Sequence, residues 1–131
     1  VAAEESPWAD ESSLPEDIKH QICIERFHGP IFFGSITGFN KVMHQVPDNA
    51  KVVIMRMKRV KFMDQSGVYA METAVKELQE RGILVLMTII QPQPEYLLRK
   101  MDFIPDVIKP EYTFKTFEDC TEFLKKLDVF K

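Results

Sequence analysis

A basic surplus, a long apolar run, glycine-rich loops and a cysteine framework are all missing from this sequence, and each absence removes a class of function. Lys and Arg number 17 against 20 Asp and Glu, for a formal charge of −3 and a pI near 5.6. A general nucleic-acid binder needs a basic face to displace counterions, so no nucleic-acid partner is expected. The longest apolar run, Ile83 to Ile90, is eight residues, whereas a bilayer-spanning helix takes about 20. The opening residues are small and acidic, so no secretory leader is expected there. A first residue of Val rather than Met fits an excised fragment or a processed terminus. With five glycines in all there is no P-loop, no Gly-x-Gly-x-x-Gly and no Gly-x-Ser-x-Gly elbow. Cys23 and Cys120 are far apart and lack metal-ligand spacing; they read as buried, reduced thiols, Cys120 within the pattern Phe117, Cys120, Leu124, Leu127. His20, His28 and His44 are scattered, without an i,i+4 pair. No catalytic residue, metal or cofactor is expected, and the chain reads as a non-enzyme.

What remains is a 131-residue chain, 45% hydrophobic and 28% charged, enough for one domain with its own core. Residues 1–17 read as an acidic flexible linker: six acids, no base before Lys19, and prolines at Pro7 and Pro15. Trp8 is the exception there, either an exposed ring or one docked on a surface. Residues 18–131 carry the fold. Ile22, Ile24 and Phe27 suggest a strand, His28-Gly29-Pro30 a turn, and Ile31-Phe32-Phe33 a second strand closing a hairpin. Phe39, Val42, Met43 and Val46 recur at helical spacing and stop at Pro47. Val52–Met55 and Ile83–Ile90 read as buried strands. Between them Val68, Met71, Val75 and Leu78 form one helix face, with Glu72–Lys76 and Glu77–Arg81 as i,i+4 pairs and Gly82 as a left-handed cap. Gln91-Pro92-Gln93-Pro94 leads into a short helix with Leu97, Leu98 and Met101. Val107-Ile108 reads as an edge strand, and Thr116 as the N-cap of a last helix. The order ββαβαβαβα dictates an α/β fold with a mainly parallel sheet and an initial hairpin.

Asp64-Gln65-Ser66-Gly67 lies at the seam between a strand and the central helix. Two readings compete. In one, Asp64 and Ser66 cap the helix and Gly67 permits a tight entry. In the other, Ser66 is an exposed regulatory point where a phosphate would meet free N–H groups. Lys58, Arg59 and Lys61 in the preceding loop are either a solvated loop or a contact for an anion or a nucleotide phosphate.

The ordered set of stretches resembles the STAS domain, the fold of anti-sigma-factor antagonists and of the cytoplasmic tail of SulP-type (sulfate permease family) anion transporters. His28-Gly-Pro-Ile-Phe-Phe-Gly34 is similar to the Gly-Pro-Leu-Phe-Phe-Gly segment of SulP tails. Val53 to Asp64 is similar to their third strand and loop, running into the Asp-x-Ser-Gly turn. Gln91-Pro92, Leu97-Leu98 and Asp102-Phe103 are similar to their Gln-Pro…Gly-Phe segment. The family often has Pro where Lys61 stands and Gly where Asp102 stands. The resemblance implies a non-catalytic regulatory and protein-interaction domain of a bacterial SulP-type transporter for sulfate-like anions. Such a domain is held at the cytoplasmic side of the membrane by the transmembrane part of the same chain. Its other partners would be a twin domain in a homodimer, a cytosolic protein, or weakly a nucleotide. The alternatives it implies are a stand-alone anti-sigma-factor antagonist phosphorylated at Ser66, and a nucleotide-sensing module.

Overall fold

The computed structural model describes the backbone of residues 2–4 and 6–130, and side chains from Ser6 to Phe130; Val1, Glu5 and Lys131, within the expected linker and domain spans, lie outside the described residues. The strands are β1 (Ala2–Glu4), β2 (Ile22–His28), β3 (Val52–Arg59), β4 (Leu84–Thr88) and β5 (Thr113–Phe114). The helices are α1 (Ile36–Met43), α2 (Gln65–Glu80), α3 (Pro92–Lys100) and α4 (Phe117–Lys125), with a single irregular turn at Phe103–Asp106. The strands lie in sequence order in one sheet; β2 to β5 are parallel and β1 is antiparallel to β2. The ββαβαβαβα order is therefore observed. Two of its strands are built from other residues than expected.

An antiparallel pair does open the sheet, but its first member is Ala2–Glu4, not Ile31–Phe33. Both sides of β2 are filled, by β1 and β3, so no hairpin partner can be added after it. Ile31 makes one parallel bridge to Met63, and Phe33–Ser35 then turns as a 3-10 helix into α1. At the other edge the strand is Thr113–Phe114, while Ile108 lies in a bend and is buried in the core that holds Met71, Leu78 and Leu98.

Alternation along β3 feeds two cores. Val53, Met55 and Met57 face α1, α2 and α3, where Phe27, Phe39, Met71, Val75, Leu78 and Leu98 pack with them. Val52 and Ile54 face the other way and meet Leu86, Phe117, Cys120 and Leu124. The expected α2 face is buried as read, and Gly82 takes φ +79 after the helix. Glu72 and Lys76 pair at 2.7 Å. Arg81 instead reaches Asp48 at 3.0 Å, and Glu77 approaches His44. Thr116 caps α4, accepting from the Asp119 N–H at 3.0 Å. Both thiols are free; Cys120 is buried, but Cys23 on β2 is only half-buried. Burial pushes both up to about 12, with Glu25 adding to the effect on Cys23.

Among the described residues α4 is the one α-helix over the second core, and the stretch expected as a flexible linker completes the cover with a 3-10 helix, Ala9–Ser13. Leu14 is buried in this core, and Ser13 Oγ lies 3.0 Å from Thr121 Oγ1 of α4. Of the two readings of Trp8, the docked one holds: its ring lies over Arg56 and Arg59 at 4.5 and 4.4 Å.

Candidate functional site

Strand β3 ends at the carboxyl edge of the sheet and leads through Val60–Met63 into α2, so Lys58 to Gly67 lie together at that edge. The N-cap of α2 is Asp64, whose Oδ1 accepts the Gly67 N–H at 2.8 Å. Ser66 is not a cap. It is the second residue of the helix and half-exposed, beside an exposed Gln65. The need for glycine at 67 is close approach, not an unusual dihedral. A Cβ there would lie 2.2 Å from the Ile31 carbonyl oxygen, so only a residue without one lets the Ile31 backbone reach the helix.

The three stretches that carry the family resemblance meet on this loop. From one side, Ile31 bridges Met63 and donates its N–H to the Phe62 carbonyl at 3.1 Å, while the Phe33 N–H donates to Asp64 Oδ2 at 3.1 Å. From the other side, the Gln93 amide makes a matched pair with the Met63 backbone: its Nε2 donates to the carbonyl at 2.9 Å and its Oε1 accepts the N–H at 2.8 Å. Gln91 Nε2 donates to the Lys58 carbonyl at 2.6 Å. In the sequence Gln91 stood out as part of a Gln-Pro segment, and Gln93 only as part of a Pro-rich loop. Their role depends on a 30-residue separation that no local pattern carries.

Lys58 and Arg59, expected in the loop, are the last two residues of β3, and only Lys61 lies in the loop itself. Lys58 and Lys61 are exposed, whereas the Arg59 guanidinium lies on the Trp8 ring. The Gly67 amide, which a nucleotide phosphate would need, is taken by Asp64.

Sequence reading missed a second charged cluster, on the opposite face of the sheet. Arg56 is fully buried on β3, opposite Arg26 on β2 and Thr88 on β4. Asp10 meets its guanidinium with two hydrogen bonds of 2.6 Å, and Glu11 bridges it to Arg26, at 2.9 Å to Arg56 and 2.6 Å at the shortest to Arg26. The rings of Trp8 and Phe117 each lie within 4.5 Å of its guanidinium carbon. The hydrogen bonds from Arg56 hold the Asp10 carboxyl below its ordinary value. Burial pushes Glu11 up, but hydrogen bonds from Arg26 and Arg56 outweigh it and the net shift is down. A lone arginine in an apolar strand and two acids in an acidic tail were the available signals; charge complementarity over 46 residues would have joined them.

This second cluster is a structural joint: each charge is engaged by its opposite. Among the described residues no group of three His, Cys, Asp or Glu side chains could hold a metal, and no helix is long and apolar enough to cross a membrane.

The STAS domain family matches the chain over residues 15–120. The solved structures it resembles include a sulfate transporter family protein from Wolinella succinogenes, at 21% identity and TM-score 0.75 over 93% of this chain and 96% of that one. Another is the STAS domain of a SulP transporter from Vibrio cholerae, at 24% identity and TM-score 0.68 over 86% of this chain and 85% of that one. The anti-sigma factor antagonist SpoIIAA, in its unphosphorylated form, aligns at 14% identity and TM-score 0.61 over 84% of this chain and 93% of that one. No curated protein matches the chain in sequence.

Proposed function

The chain belongs to the STAS domain family, and from that premise we propose that it is the regulatory, protein-interaction domain of a bacterial SulP-type transporter for sulfate-like anions, itself without catalytic activity. The observation that carries the reading is the convergence of the three SulP-like stretches on one loop. Ile31 and Phe33 brace Met63 and Asp64 from one side, and Gln91 and Gln93 brace Lys58 and Met63 from the other. The brace fixes the start of α2 and leaves Gln65, Ser66 and Tyr69 facing outward. A rigid scaffold presenting an exposed helix start is suited to a partner protein rather than to a reaction. The partner under this reading is the transmembrane part of the same chain, a twin domain, or a cytosolic protein, on the cytoplasmic side of the membrane.

The test is uptake of labelled sulfate by cells expressing the whole gene, with Gln65→Glu and Tyr69→Glu placed on the exposed α2 face. Lower uptake at equal protein level supports the reading; uptake indistinguishable from wild type contradicts a regulatory role for that face.

The position of Ser66 supports a second reading, a stand-alone antagonist switched by phosphorylation. The residue is half-exposed in the first turn of α2, where a phosphoserine would be favoured by the helix dipole and would change the surface charge. Ser66→Ala and Ser66→Asp chains would then differ in partner capture; equal capture removes the switch.

A further inference from the structure

We propose that the carboxyl edge of the sheet seats on an anionic lipid surface. This proposal rests on the transporter-domain reading and adds the surface that faces the bilayer.

Phe33 is 78% and Phe62 49% exposed, on turns whose backbone is tied to Asp64 and Ile31. Bulky rings held outward by a fixed backbone, and not by a loose loop, call for a cover. The charge beside them is positive in a chain that is negative overall. Lys58, Arg59 and Lys61 fall within four positions, and two described acids near them are already engaged. Asp64 accepts from Gly67 and Phe33, and Asp10 is held by Arg56. Trp8 lies against Arg59 at the same edge. Phenylalanine and tryptophan with lysine and arginine around them match the water–bilayer interface: rings reach the acyl boundary and ammonium groups meet phosphate and carboxylate heads.

The path of the chain points the same way. Strand β1 runs antiparallel to β2 and pairs Ala2 with His28, the last residue of β2, which in turn pairs with Arg59. Any chain preceding Val1 therefore approaches the fold at the edge that carries Phe33, Phe62, Lys58 and Lys61. A transmembrane segment upstream would hold this edge toward the bilayer.

The experiment is co-sedimentation of the 131-residue chain with vesicles of phosphatidylcholine alone or with about one-third phosphatidylserine. Binding is expected to the anionic vesicles and to fall with added salt. The Lys58→Glu/Lys61→Glu pair and the Phe33→Ser/Phe62→Ser pair should each weaken it about tenfold or more. Lys125→Glu/Val129→Ser, away from this edge, should leave it unchanged. Failure of the wild-type chain to bind, equal binding by the two edge variants, or an effect of those variants on self-association without one on vesicles overturns the proposal. If vesicles are ignored while the gene encodes membrane segments upstream, the transporter reading stands and the lipid contact falls. Vesicle binding by a chain whose gene starts near Val1 does the reverse.

Discussion

Asp10 and Arg56, 46 residues apart, are joined by two 2.6 Å hydrogen bonds across the second core. The contact turns an acidic leader into part of the domain. Removing Arg56 leaves the buried Glu11 with Arg26 alone and takes both guanidinium bonds from a part-buried Asp10. Arg56→Ala is therefore expected to destabilise the chain by about 3–5 kcal/mol. Glu11→Gln, which leaves Arg26 and Arg56 with less to hold them together, is expected to cost about 2–4 kcal/mol. Breaking the exposed Lys125–Glu122 pair should cost less than about 0.5 kcal/mol. Urea unfolding of the three variants separates these outcomes.

Acid should act on stability through two opposed groups. Asp10 and Glu11 have lowered carboxyl values in the fold, so their contribution is full above their ordinary values of 3.8 and 4.5 and is lost as pH falls through the lowered ones. Glu25 runs the other way. It is nearly buried on β2, and burial raises its carboxyl above 4.5 against the smaller effects of Cys23 and Arg26. Its charge therefore costs stability at neutral pH, and that cost fades on the way down to its ordinary value. Glu25→Gln should stabilise at pH 7 and do little near pH 4; thermal unfolding at both values measures it.

The α2 start distinguishes two adjacent residues. Gly67→Ala drives a Cβ toward the Ile31 carbonyl and is expected to cost about 3 kcal/mol, or to abolish folding. Ser66→Ala removes a hydroxyl that is not the cap and should stay within about 0.5 kcal/mol. A similar loss at both positions, by denaturant midpoint, would refute the assigned geometry.

Gln93→Ala leaves the Met63 N–H and carbonyl without their paired amide, at an expected cost of about 1–3 kcal/mol. Amide exchange should rise around residues 61–64, while β3 and β4 stay protected.

Asp102 stands at φ +61, where the family often has glycine. Asp102→Gly relieves a left-handed aspartate and is expected to raise stability by about 0.5–1 kcal/mol, read as a higher Tm.

The parts of the fold that could be read from sequence are those written by local period. The α2 stripe, the buried strands β3 and β4, the Gly82 cap and the Thr116 cap follow from spacing and residue type alone. Ile31–Phe33 has strand composition, yet its fate depends on β1 already occupying the free side of β2. Asp10 and Glu11 resemble solvated acids until Arg26 and Arg56 are placed opposite them. At the candidate site Asp64 was legible as a cap. The reason for Gly67 was not, because it lies in the Ile31 backbone rather than in the turn itself.

The central claim is that this domain serves an anion transporter, and the most direct measurement is the coding sequence immediately upstream of Val1. A transporter domain is expected to follow a series of apolar segments of about 20 residues each, read in frame with it. A start codon a few residues before Val1, with no such segments, would contradict it.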